Sequence, residues 1–216
     1  MEPPVRTYSP EWHELRKTRL GASDVGALLG VSPWDTPADV WTSKRGAGRP
    51  QPDGSINTPI WWGHQEEPHI IEAAVHELVG DFPPACILTG WSWAVKGFMV
   101  SPDAIFTEVE RDENTILDEQ TGLIEAKVVG LRSGYLWMHG PPLHVLSQLH
   151  AQMAVTGSSM GHVAARIAGA PVKVWSIPRN EEASRNILEI VDMFWSYPEI
   201  PPHWEMLTEK TITSMQ

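Results

Sequence analysis

Two short stretches of the 216-residue chain, "VSPDAIF" and "GLIEAKVV", hold the side chains best suited to chemistry: Asp103, Glu125 and Lys127. On a β-strand successive side chains point to opposite faces, so "LIEAKVV" aims Glu125 and Lys127 to one side and leaves Ile124, Ala126 and Val128 on the other. Asp103 opens the neighbouring strand and can bring a second carboxylate to the same spot. Glu67, in the first turns of a helix, can bring a third. Carboxylates without thiolates suit a hard divalent cation, Mg2+ or Mn2+, which prefers oxygen ligands and keeps several waters. Such a cation polarises a phosphoryl oxygen and lowers the pKa of a bound water, and a second ion can stabilise the leaving oxygen of a phosphodiester. Lys127 beside it can position or deprotonate the attacking water, or neutralise charge in the transition state.

The same pattern also fits an exposed hairpin carrying an ion pair on one face. The flanks separate the two readings. Ile124, Val128 and Val129 read as buried, which makes the strand central, where Glu125 and Lys127 need partners or a metal.

The elements that must position these residues follow from periodicity and punctuation. "SPEWHELRKTRLGASDVGALLG" predicts a helix over 10–18, a Gly-containing turn, and a second helix capped by Ser23 or Asp24 and closed by Gly30. "TPADVWTSKRG" predicts a short helix with Thr36 as cap, Pro37 at its first position and Gly46 as its stop. "AGRPQPDGSINTP" reads as a loop. "IWWGHQEEPHIIEAAVHELVG" places Ile70, Ile71, Ala74, Val75 and Leu78 at helical spacing, with Glu67 on or near that stripe and Glu66 solvated.

Strand-like runs follow at 91–100, 103–109 and 122–129 as an antiparallel meander, the last two joined by an acidic linker, "EVERDENTILDE". "PLHVLSQLHAQMAVTG" is a helix ending at Gly157, "HVAARIAG" and "VKVWSIP" are two more strands, and "NEEASRNILEIVDMFWSYPE" closes the order as an amphipathic helix. The expected fold is one α/β domain of the α+β type over residues 1–216, a mixed central sheet flanked by helices.

Composition bounds the function. A net charge of -11 argues against an overall basic nucleic-acid coat, although it does not describe a cleft. The single cysteine, Cys86, excludes an internal disulfide or multi-thiolate site and reads as a small buried apolar side chain. No signal-peptide pattern and no bilayer-length apolar run is seen, which predicts a cytoplasmic protein with no membrane association. His64, His69, His76 and His144 lack paired ligand spacing and read as structural or exposed. Most of the 11 Trp residues read as packing rather than base-stacking platforms.

Five ordered blocks resemble the YqaJ-type viral recombinase family, which includes phage lambda exonuclease, within the PD-(D/E)xK nuclease superfamily. They are "WHELRKTRLGASDVGALLG", "WGHQEEPHI", "VSPDAIF", "GLIEAKVV" and "LSQLHAQMAVTG". The resemblance implies a restriction-endonuclease-like core and a 5' to 3' DNA exonuclease that leaves a 3' single strand. It implies a metal site of two Mg2+ (or Mn2+) ions held by Asp103, Glu125, Glu67 and the main-chain carbonyl of Ala126, with Lys127 as the catalytic lysine. It matches Arg16 and Ser23 to contacts with a 5'-end phosphate, and sets Gln148 beside the active site. Implied partners are duplex DNA ends and a single-strand annealing protein, with a homo-oligomer allowed, in the host-cell cytoplasm of a phage or prophage.

Two residues depart from the family pattern: Ala104 replaces a Gly and His150 replaces a second Gln. Alternatives are a structure-specific or restriction-like endonuclease on the same fold, and a noncatalytic DNA-binding or assembly protein. The relative that carries an iron-sulfur cluster on four cysteines is excluded by Cys86 standing alone.

Overall fold

The computed structural model describes residues 4–47, 55–80, 86–112, 115–201 and 203–215. The side chains of Ala47, Cys86 and residues 107–121 lie outside the described residues, and with them the expected burial of Cys86, most of the 47–59 loop and the acidic side chains of "EVERDENTILDE".

The chain begins with β1 (Val5–Arg6), α1 (Pro10–Thr18), β2 (Leu20–Gly21), α2 (Ala22–Leu28) and α3 (Pro37–Thr42). Ser9 caps α1 by accepting from the Trp12 N–H, and Thr36 caps α3 by accepting from the Asp39 N–H, each with Pro at the first helical turn; the sequence predicts the Thr36 cap. The start of α2 differs from expectation. Its N-cap is Gly21, and Asp24 reaches back to accept the Gly21 N–H at 2.8 Å. Ser23 therefore lies inside the first turn, exposed, and caps nothing.

Next come α4 (Pro59–Val79), β3 (Cys86–Thr89), β4 (Trp91–Val95), β5 (Phe98–Val100), β6 (Ala104–Asp112) and β7 (Thr115–Val129). The run at 91–100 is a hairpin and not one strand, because Gly97 adopts φ 70° and reverses the chain. The expected single sheet is two, and the chain changes sheet between β3 and β4 and again between β5 and β6. One sheet has the order β1-β4-β5-β2, with β2 parallel to β5. The presumed acidic linker is an extension of β6 and β7, whose antiparallel pairing runs out to Asp112 opposite Thr115.

A 3-10 turn (Leu131–Trp137) leads to α5 (Leu143–Thr156), β8 (Met160–Ile167), β9 (Lys173–Pro178) and α6 (Glu181–Ser196). The second sheet has the order β3-β6-β7-β8-β9. Only β7 and β8 are parallel in it, and α5 supplies the crossover that a parallel pair needs. A last helix, α7 (Trp204–Met215), follows α6, whereas the sequence reading ended with α6.

Helices cover both faces of the five-stranded sheet. On one face Ala104, Phe106, Ile124 and Ala164 pack against Ile70, Ile71, Ala74 and Val75 of α4. On the other, Ile105, Leu123, Val129, Val163 and Ala165 pack against Val145, Leu149 and Met153 of α5. A third core joins α2, α3, β5 and α5 to α6 and α7.

Candidate active site

Strand alternation assigns the chemistry to the α5 face. Residues 103, 125 and 127 share the parity of Ile105, Leu123 and Val129, so their side chains turn toward α5 while Ala104, Ile124 and Ala126 turn toward α4. The pairing of Ala104 with Ile124 sets Asp103 one residue beyond, next to Glu125. There the Ala126 N–H donates to Asp103 Oδ2 at 2.7 Å, a bond that ties the start of β6 to the centre of β7.

Glu125 is 1% exposed yet fully partnered. Lys127 Nζ and Gln148 Nε2 (2.6 Å) donate to its Oε1, and Gln152 Nε2 (2.6 Å) donates to its Oε2. Lys127 also donates to Gln148 Oε1 at 3.3 Å. An exposed hairpin ion pair does not fit this burial. Glu67 stands on α4, where His64 lies 3.9 Å from its carboxylate, and its charge is felt at Asp103 and Lys127. Glu66, expected to be solvated, instead pairs with Arg166 of β8 at 2.9 Å and fastens α4 to the sheet.

The charges interact strongly. Burial and then the charge of Glu125 push Asp103 well above the usual carboxylate range, against the pull of Lys127 and of the Ala126 N–H. Burial also raises Glu67, opposed by His64 and aided by Glu125. For Lys127, burial works to lower the pKa, but the charges of Glu125 and Asp103, with the Glu125 hydrogen bond, outweigh it and leave the pKa raised. Asp103 and Glu125 flank one ammonium, and Glu67 adds a third negative charge to their field when ionised, an excess that a divalent cation would offset. Among the described residues, however, no three His, Cys, Asp or Glu side chains form a ready-made metal cage.

Arg16 and Ser23 form a second cluster. A Cβ built on Gly21 would lie 3.6 Å from Ser23 Oγ and 3.7 Å from an Arg16 guanidinium nitrogen, so the two side chains flank one backbone position. Lys44, following α3, braces the cluster from behind. Its Nζ donates to the main-chain oxygens of Arg19 (2.8 Å) and Arg16 (3.3 Å) and pairs with the buried Asp24 carboxylate at 3.1 Å.

Gln152 and Lys44 were not among the residues singled out from sequence, and Asp24 entered only as a candidate cap of α2. Gln152 stands four residues after Gln148 on one helix, a spacing that puts both on the same face and could have revealed it. Lys44 carries no such local signal, since its meeting with Asp24 depends on how α3 docks.

The fold is mixed α/β with a buried charged cluster on one sheet face, and the comparisons narrow its class. The YqaJ-like viral recombinase domain matches residues 11–159, and the chain belongs to that family. The crystal structure of an alkaline exonuclease from Laribacter hongkongensis is similar, with a TM-score of 0.65 and 20% identity over 95% of this chain and 99% of that one. The same exonuclease in complex with dAMP gives a TM-score of 0.63, again at 20% identity with the same coverage. A search of curated proteins finds no match. At that identity the structural likeness speaks for a shared mixed α/β fold.

Proposed function

We propose that this protein is a metal-dependent DNA exonuclease that digests one strand of linear duplex DNA from its 5' end and leaves a 3' single strand. Its 216 residues would form one catalytic domain built on a restriction-endonuclease-like core. The observation that carries the reading is the convergence of Asp103, Glu125 and Lys127 on one sheet face, with the buried Glu125 held by three donors. The family match and the dAMP complex of the similar exonuclease support a nucleotide-containing substrate.

The donor set fits magnesium. This ion commonly takes one or two carboxylates, with waters and substrate phosphates completing its octahedron, so it does not require a three-acid cage. Asp103, Glu125 and the Ala126 carbonyl would hold one or two Mg2+ or Mn2+ ions, with Glu67 contributing from α4. When bound, the metal polarises the phosphoryl oxygen and acidifies a water. Lys127, steadied by Glu125 and Gln148, orients the attacking water and offsets charge growing on the phosphate oxygens. Gln148 aligns both partners, while Arg16 and Ser23 hold the 5'-end phosphate. The resulting overhang calls for a single-strand annealing partner in the cytoplasm of a phage-infected host, and a homo-oligomer is compatible with these roles.

The test is a time course on linear duplexes with 5'-phosphate or 5'-hydroxyl ends, in Mg2+ or chelator, comparing wild type with Lys127→Ala. The expected outcome is Mg2+-dependent loss of the 5'-ended strand, faster from 5'-phosphate, and a loss of at least about a hundredfold in the variant. Equal activity of Lys127→Ala would remove the site assignment, and cutting of covalently closed circles would favour an endonuclease.

A further inference from the structure

Tyr8 is an exposed aromatic in a backbone conformation that aromatic residues avoid. Its φ is 65°, its side chain is 61% exposed, and its ring packs against Trp12 (5.1 Å between centroids) and edge-on against His64 (5.6 Å). A left-handed backbone at a non-glycine residue costs roughly 1–2 kcal/mol and persists only where the surroundings over-determine it. Here they do. On one side of Tyr8, the Thr7 N–H donates to the Gly90 carbonyl at 3.0 Å, and Thr7 Oγ1 joins a hydroxyl chain through Ser92 (2.9 Å) to Ser101 (2.6 Å). On the other, Ser9 donates its N–H to the Arg6 carbonyl and caps α1.

Two contact paths fix where this ring stands. Trp12, against which Tyr8 packs, also has the Arg16 guanidinium 5.0 Å from its ring and donates to Ser101, two residues before Asp103. His64, the other neighbour, lies beside Glu67. Tyr8 thus occupies the boundary between the Arg16–Ser23 cluster and the carboxylates. In keeping with that, desolvation first, and then the charges of Glu67 and Asp103, raise the pKa of its hydroxyl, and Arg16 opposes them. An enzyme that removes one nucleotide at a time from a 5' end must hold the end phosphate in one cluster and the next phosphate in the other. On that reading the nucleoside between those phosphates would lie over the boundary, beside Tyr8.

We infer that Tyr8 stacks on the base of the 5'-terminal nucleotide and holds it in register between the end-phosphate cluster and the carboxylates; this rests on the exonuclease reading above. Stacking on an aromatic ring tolerates any base, which suits an enzyme that must accept every sequence in turn. The phenol hydroxyl is not required for it.

The experiment compares wild type, Tyr8→Phe, Tyr8→Ala and Tyr8→Gly on 5'-phosphorylated duplexes whose end nucleotide is either normal or abasic. The glycine variant suits φ 65° and guards against a folding failure of the alanine variant. On normal ends, alanine and glycine should raise KM about five- to 160-fold, the range expected for one stacked base, while phenylalanine stays within about twofold of wild type. On abasic ends all four should converge. End binding measured by fluorescence anisotropy with Ca2+ in place of Mg2+ repeats the comparison without turnover.

An alanine variant indistinguishable from wild type, or weakened equally on both ends, would overturn the assignment of Tyr8 while leaving an active exonuclease intact. A wild type that binds ends with the Tyr8-dependent preference yet digests nothing would reject the exonuclease reading and keep the stacking. Absence of both digestion and end preference would reject the two together.

Discussion

Glu125 shows how a buried acid is kept in one orientation. Each carboxylate oxygen accepts from α5, Oε1 from Gln148 and Oε2 from Gln152, so the helix aligns the plane of the group as well as its position. Gln152 is wholly buried and touches the chemistry only through Glu125. Gln152→Ala should lower activity about 10- to 100-fold, with weaker apparent Mg2+ affinity in a metal titration, as for other residues that orient a ligand. Gln152→Glu should do worse, because it sets a second carboxylate against the first; an alanine variant with unchanged metal dependence would show that Gln148 suffices. Asp103, Glu125 and Lys127 were legible in the sequence because strand parity is a strict two-residue repeat. Tyr8 was not: its place depends on a left-handed turn that no periodicity announces.

Among the elements, the pair α2 and α5 sets the distance between the two clusters, since Ser23 rides on one and Gln148 on the other. Their close approach requires Gly26: a Cβ there would lie 3.0 Å from His144 Cβ and 3.2 Å from Ser147 Oγ. Gly26→Val should cost about 1–3 kcal/mol by overpacking, lowering the melting temperature by roughly 2–12 °C, with 5'-end discrimination reduced in the fraction that folds. A variant with unchanged melting and end preference would show that the interface can yield. The amphipathic α4 and α6 were readable because an apolar stripe recurs along each, and α5, buried on nearly all sides, because Gly157 marks its end. The division into two sheets was not, since no local pattern announces that the chain changes sheet between β3 and β4 and again between β5 and β6. The last helix, α7, escaped because its buried Trp204, Leu207, Thr208 and Thr211 mix apolar with polar side chains and blur the stripe.

Across the whole molecule, two buried histidines link stability to acidity. Burial lowers His150 and His162 from 6.5 to about 4, and His162 Nδ1 is paired with Ser176 Oγ at 2.9 Å between β8 and β9. Above pH 6.5 both are neutral in folded and unfolded chains, so their contribution is intact. Between 6.5 and about 4 the unfolded chain takes up protons that the folded one refuses, and stability falls as the pH falls. Each histidine adds at most about 1.4 kcal/mol per pH unit to that slope. Denaturant unfolding of His162→Asn should therefore give a shallower loss over this window than wild type, whatever its absolute stability; parallel curves would assign the acid sensitivity elsewhere. Among the described residues no helix is long and apolar enough to cross a membrane. The brace from Lys44 to Asp24 and to the carbonyls of Arg16 and Arg19 has a consequence for how the enzyme would travel. On the exonuclease reading it would make the Arg16–Ser23 cluster a fixed backstop rather than a pliable grip, so each advance along DNA would be metered by a stride of one nucleotide.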